Sequence, residues 1–326
     1  MIYTYAALDL RRTPEAATAN DAILAGPVLG VEVTIPALAA RCSLGNIDPQ
    51  HLGGDATTAA IEAALTWPIP PGGTCLVTVR PDADALGAMA ILTLREEAVT
   101  GYGDSLIDTA YTLADGRAVQ GGPGLLERAK LIADADKEAT GPWPGPRPIE
   151  GAESLLRETT ALEAMCMDHR LPLRDRVLRM RNWLLCGQFT GQDDYRARAL
   201  AEAETALADL RVQVWGEIAT VTGAHRLAMS IGYRHAPVVV ATNPAFSFAG
   251  GEPHRKHTVA RWNSSTLPHL DWAALAAQLN KEDPAATEAS GWGGSTSIIG
   301  SPQGVASGLS TANITGAVQA AVLLGL

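Results

Sequence analysis

The sequence predicts an α/β protein made of two α/β domains joined by a helical linker. Three observations carry that expectation. Short apolar, β-branched runs such as 75–79 and 237–241 alternate with stretches of helical period, the pattern of strand and helix units around buried sheets. Residues 141–148, Gly-Pro-Trp-Pro-Gly-Pro-Arg-Pro, interrupt all regular structure and mark a stiff boundary. Three helical patterns follow before strand-like sequence resumes at Arg211. The expected partition is therefore an α/β domain over 1–140, a proline-rich linker and helical connector over 141–210, and a smaller α/β domain over 211–326.

Composition narrows the function classes. With 326 residues, 47% of them apolar, the chain is long enough to bury a substantial core. The 35 acidic residues outnumber the 25 basic ones and give a net charge of -10, which argues against sequence-independent adhesion to duplex DNA or to an anionic membrane. Cys42, Cys75, Cys166 and Cys186 are too scattered for a disulfide framework and suit a reducing compartment. No basic leader opens the chain and no apolar run is long enough to span a bilayer, so a soluble cytoplasmic protein is expected.

In chain order, strands are expected over 2–8 and 30–35, then a turn over 44–51 that carries Asp48 and His51, and a helix over 57–65. The run 75–79 reads as a central strand, and Asp82 is placed to cap a helix over 85–94. Asp82 and Asp84 then lie at a strand's carboxyl end, where open α/β sheets bind ligands and where paired carboxylates suit a hard cation such as Mn²⁺ or Mg²⁺. The competing reading is a helix N-terminus that carries acids for its dipole. Asp48 and His51 form a second such turn, with an Asp-Pro turn and a surface histidine as the alternative. Helices are expected over 105–114, with Asp108 and Asp115 near its ends, and over 124–139.

Beyond the linker, helices are expected over 152–170, 173–186 and 193–210. Cys166, Asp168 and His169 look ligand-like but lack a second motif to complete a zinc site, so ordinary helix packing is the reading there. A strand over 211–221, a helix over 224–233, strands over 237–241 and 257–262, and a helix over 271–279 open the second α/β unit. The following loop, with Gly293, Gly294, Ser295 and Ser297, suits a phosphate because glycine lets the backbone approach and the hydroxyls donate. Arg255, Lys256 and Arg261 are candidates for the positive charge of such a pocket. A structural glycine turn and a solvated basic run are the alternatives.

Together these pieces resemble the DHH/DHHA1 superfamily of metal-dependent phosphoesterases, whose members include single-strand exonucleases, nano-RNases, cyclic-dinucleotide phosphodiesterases and manganese-type pyrophosphatases. The family motif His-x-Asp-x-Asp-Ala-x-Gly-Ala is matched by Arg-Pro-Asp-Ala-Asp-Ala-Leu-Gly-Ala at 80–88, with Arg80 in place of the leading histidine. The Asp-His-His triplet is similar to Asp48-Pro49-Gln50-His51, which keeps the acid, places one histidine a residue late, and comes before the Asp-x-Asp turn where the family has it after. The segment from Lys256 through Ser295 resembles the DHHA1 substrate domain.

The resemblance implies a DHH-like parallel sheet, a DHHA1-like second domain, and hydrolysis of a phosphodiester or phosphoanhydride in a small nucleotide-like substrate. It assigns Asp48, His51, Asp82, Asp84 and Asp115 to Mn²⁺ or Mg²⁺, with Asp108 the alternative to Asp115, and His51 and Arg80 to catalysis. It assigns Arg255, Lys256, Arg261, Gly293, Gly294, Ser295 and Ser297 to the substrate. The expected partner is a small nucleotide or short oligonucleotide, not duplex nucleic acid or a membrane, and a homodimer is compatible with this reading. The alternative function is a non-catalytic nucleotide or phosphate binder that has lost metal ligands.

Overall fold

A computed structural model of the chain describes residues 3–11, 13–49, 58–101, 111–112, 118–119, 124–137, 150–247, 252–262, 266–267, 269–288, 290–294, 297–302 and 304–324. The protein is mixed α/β, with a four-stranded parallel sheet and a second, six-stranded mixed sheet. It divides into two compact units, Met1–Lys137 with Glu158–Ala197, and Glu138–Arg157 with Arg198–Leu326.

The first unit runs β1 (Thr4–Ala7), α1 (Pro14–Leu24), β2 (Val28–Val31), α2 (Pro36–Ala39), β3 (Asn46–Ile47), α3 (Ala60–Ala64), β4 (Cys75–Thr78) and α4 (Ala83–Gly101). A short antiparallel pair, β5 (Tyr111–Thr112) and β6 (Ala118–Val119), precedes α5 (Leu125–Lys137). Then come α6 (Thr160–Cys166), α7 (Leu173–Cys186) and the start of α8 (Gln192–Asp209). The parallel sheet has the order β1, β4, β2, β3. Both of its faces are covered, as parallel sheets require. Leu76 of β4 faces a core shared with α3 through α7, while Val77 faces a smaller cluster that includes Leu24 of α1 and Leu38 of α2. Neighbouring strands β4 and β2 therefore send their chains to helices on opposite faces. In open α/β sheets ligands bind outside the carboxyl ends at such a divergence.

Two expectations change here. The connector expected over 141–210 is not a separate layer: Leu162 and Met165 of α6 and Val177 and Trp183 of α7 are buried in the same core as α4. Their helical period showed an apolar face but not which sheet it covers. Of the helix expected over 105–114, residues 111 and 112 are a strand, and the remainder lies outside the described residues.

The second unit takes the end of α8 and adds β7 (Arg211–Trp215), β8 (Ile218–Thr222), α9 (Ala228–Gly232), β9 (Val238–Phe246) and β10 (His254–Arg261). It ends with α10 (Trp272–Glu282), β11 (Gly293–Gly294), β12 (Ile298–Gly300) and α11 (Thr311–Leu324). The single strand expected over 211–221 is a hairpin, because Gly216 takes a left-handed φ of 61° and turns the chain between Trp215 and Ile218. The sheet order is β11, β12, β10, β9, β8, β7, and only β8 and β9 pair in parallel. Val238 and Val240 face α10 and α11, while Val239 and Ala241 face α9 and the end of α8. A run of β-branched residues buried on both sides is what such a central strand needs.

Candidate functional site

Because β3, β2 and β4 are adjacent and parallel, their carboxyl ends lie on one edge, and each is followed by an acid. Asp48 follows β3, Glu32 follows β2 and Asp82 follows β4. Asp48 and Glu32 are buried, at 9% and 6% exposure, and Asp82 is a quarter exposed. Glu32 has a left-handed φ of 52°, a costly conformation for a residue with a Cβ, and is held there in part by its own N–H, which donates to the Ile47 carbonyl at 2.9 Å. Strain of that kind gathers at functional sites. Burial, followed by the charges of Asp82, Asp84 and Asp136, pushes the Glu32 carboxyl far above the usual range, and a hydrogen bond joins it to Asp82.

Asp84 plays a different part. It is 1% exposed, and its two oxygens accept the N–H groups of Ala60 at 2.7 Å and Ile61 at 2.9 Å. The residue at the N-cap of α3 is Ala59, whose side chain has no acceptor, so Asp84 caps that helix from another part of the chain. Burial first, then Asp136, raises the Asp84 carboxyl, and the two N–H groups pull it back down. Gly87 belongs to the same construction: a Cβ there would lie 2.5 Å from Ile61 Cδ1, so its absence lets α3 and α4 pack closely. Asp82 accepts from the Ala85 N–H at 3.2 Å, which caps α4 as the sequence suggested. The Arg80 guanidinium stands 3.4 Å from Asp82 and is 73% exposed.

The predicted residues share one sheet edge without clustering, because β2 separates the strands that precede Asp48 and Asp82. Asp48, Asp82 and Asp84 share the carboxyl edge of one sheet, with Arg80 beside them. His51, Asp108, Asp115 and Ser295 lie outside the described residues. Sequence reasoning missed Glu32 and Asp136. For Glu32 the available signal was a charge set inside the apolar run Gly-Val-Glu-Val-Thr-Ile; for Asp136, on α5, there was none. Among the described residues no three His, Cys, Asp or Glu side chains are grouped so as to hold a metal ion. The donors at this edge are nevertheless all oxygen, the type that hard divalent cations take. Cys166, Asp168 and His169 do not form a site. Cys166 is fully buried, and Asp168 is bound by Arg170 and by the Tyr195 hydroxyl at 2.8 Å.

In the second unit the three candidate phosphate-binding cations hold the chain to itself. Arg255 donates to the Ser307 carbonyl at 2.6 Å, Lys256 to the Ser301 carbonyl, and Arg261 to the Thr266 and Leu267 carbonyls at 3.2 and 3.1 Å. Arg261 also lies over the Trp272 ring, 5.4 Å from its centroid. Gly293 and Gly294 open a hairpin with β12, and a Cβ on Gly294 would come within 2.1 Å of the Ile298 carbonyl oxygen. The Ser297 carbonyl accepts from the Arg261 N–H at 2.9 Å.

The site thus belongs to a two-unit α/β protein with an acid-lined edge on its parallel sheet. Neither a family model nor a curated protein matches the sequence. No helix among the described residues is long and apolar enough to cross a membrane.

Proposed function

We propose that the protein is a metal-dependent phosphohydrolase acting on a phosphodiester or phosphoanhydride of a small nucleotide-like substrate, as a divergent relative of the DHH/DHHA1 enzymes. One observation carries this reading. Three neighbouring parallel strands each deliver a carboxyl group to the same edge, two of them buried, with a guanidinium alongside. The Glu32 carboxyl, pushed up by burial and then by the charges of its acidic neighbours, is short of positive charge, which a divalent cation would supply.

In this reading His51, together with a carboxyl group of this edge such as that of Asp82, would hold Mn²⁺ or Mg²⁺, which when bound would polarise a phosphate oxygen and make its water acidic. Arg80, exposed beside Asp82, is placed to donate to a phosphate oxygen in the forked geometry that a guanidinium provides. Asp84 positions: with both oxygens on α3, it sets that helix and the following strand against the acid edge. The second unit, by the likeness of its segment 256–295, is DHHA1-like.

A second reading, a phosphate binder without turnover, is favoured by the capping role of Asp84 and by arginine at the family's histidine position. The experiment separates the two. Hydrolysis of pApA, cyclic dinucleotides and pyrophosphate is measured with Mn²⁺ and again in EDTA, for the native chain and for Asp82→Asn and Glu32→Gln. Mn²⁺-dependent product that falls more than about tenfold in both variants is expected. Activity that survives both substitutions overturns the proposed site. Nucleotide binding in EDTA without turnover on adding metal selects the binder.

A further inference from the structure

The six-stranded sheet ends on β7, which pairs with β8 and with no other strand among the described residues. Edges of this kind are usually guarded by proline, lysine or a bulge. β7 has no proline, lysine or bulge, and its one charge, Arg211, stands at the end of the strand: Arg-Val-Gln-Val-Trp pairs with β8 without a register shift, and Val214 and Trp215 are 48% and 51% exposed. Trp215 and Ile218 close a two-residue turn, so they form a hydrogen-bonded pair, and the bonding then alternates along the ladder. Arg211, Gln213 and Trp215 therefore spend their backbone groups on β8. Val212 and Val214 direct theirs outward.

This parity limits what can pair there, because outward residues must meet outward residues. An antiparallel copy of β7, related by a two-fold axis at Gln213, satisfies it and places Val212 opposite Val214 in both directions. On the opposite sheet face the same register sets Arg211 across from Trp215, a cation against an aromatic face, and Gln213 across from itself. Each of the strand's side chains meets a chemically suited partner, and the partner is the same strand. We propose that β7 is a self-association edge, through which a second copy of this chain continues the sheet as an isologous dimer.

The test uses the full chain. Sedimentation velocity up to about 0.1 mM, where even weak association registers, is expected to show a reversible dimer. Val214→Pro removes an outward N–H and leaves the β7–β8 ladder intact, so it is expected to weaken association at least tenfold with unchanged circular dichroism. As a register-specific readout, Gln213→Cys in a Cys186→Ser background is expected to give a disulfide-linked dimer on mild oxidation, since a non-hydrogen-bonded antiparallel pair brings two such thiols within bonding reach. Gln278→Cys, on the exposed side of α10, is the control. A chain that stays monomeric, a dimer indifferent to Val214→Pro, or crosslinking through position 213 no faster than through 278 would each overturn the proposal.

Discussion

Asp84 and Ala60 are 24 residues apart, yet Asp84 Oδ2 accepts the Ala60 N–H at 2.7 Å. A side chain in the position of a metal ligand thus serves as the first-turn acceptor of a helix whose N-cap residue, Ala59, has no acceptor on its side chain. This accounts for a carboxylate at this position whether or not an ion binds nearby. It also ties the turn after β4 to the start of α3, so the acid edge and the helical layer are built together.

Asp84→Ala leaves two buried N–H groups without acceptors and is expected to lower unfolding free energy by about 2–4 kcal/mol. Asp84→Asn keeps one acceptor and removes a buried charge, so its cost is expected to be smaller. Urea denaturation at neutral pH measures both. Equal losses in the two variants would show that the carbonyl-type acceptor does not support α3.

His257 gives a pH dependence. It is fully buried, its Nε2 donates to the Leu309 carbonyl at 3.2 Å, and its Nδ1 accepts from the Thr242 hydroxyl at 2.9 Å. Burial, then Arg255, lowers its pKa to about 4. The unfolded chain then binds more protons than the folded one between that value and the ordinary histidine range near 6.5. Its contribution is present above pH ~6.5 and is lost as pH falls towards ~4, up to about 3 kcal/mol. His257→Gln is expected to flatten that part of the stability curve. A slope unchanged in the variant would assign it to other groups.

Gly294→Ala is expected to destabilise the second unit by about 1–3 kcal/mol, because the added methyl meets a backbone oxygen of the paired strand that has no rotamer with which to yield. Hydrogen exchange localises the effect: amides of β11 and β12 should lose protection while those of the first unit keep theirs. Loss of protection in both units would show that the hairpin is not a local element.

Arg261→Leu removes the donor to the Thr266 and Leu267 carbonyls and the cation over Trp272. Calorimetry is expected to show a loss of about 1–3 kcal/mol in the unliganded protein. A variant as stable as the parent, weakened only in phosphate binding, would restore Arg261 to the substrate.

Much of the architecture was legible. Turn chemistry placed Asp82 at a helix cap, and the buried run 237–241 became the core strand β9. Gly216 was a readable turn, overlooked because the flanking residues continue the β pattern. The helices over 158–197 showed their amphipathic faces, but an apolar stripe does not name the core it joins.

By itself, the sequence determined the α/β class, several of the strands and helices, and the position of Asp48 and Asp82 after strands, because hydrophobic period and capping act over a few residues. Tertiary structure alone decided that Glu32 lies between those two acids, that Asp84 caps α3, and that Arg255, Lys256 and Arg261 bind carbonyls of their own unit. Sheet order and the partners of buried polar groups come from long-range packing. Nothing in a residue's near neighbours specifies which distant N–H or carbonyl will be left for it to satisfy.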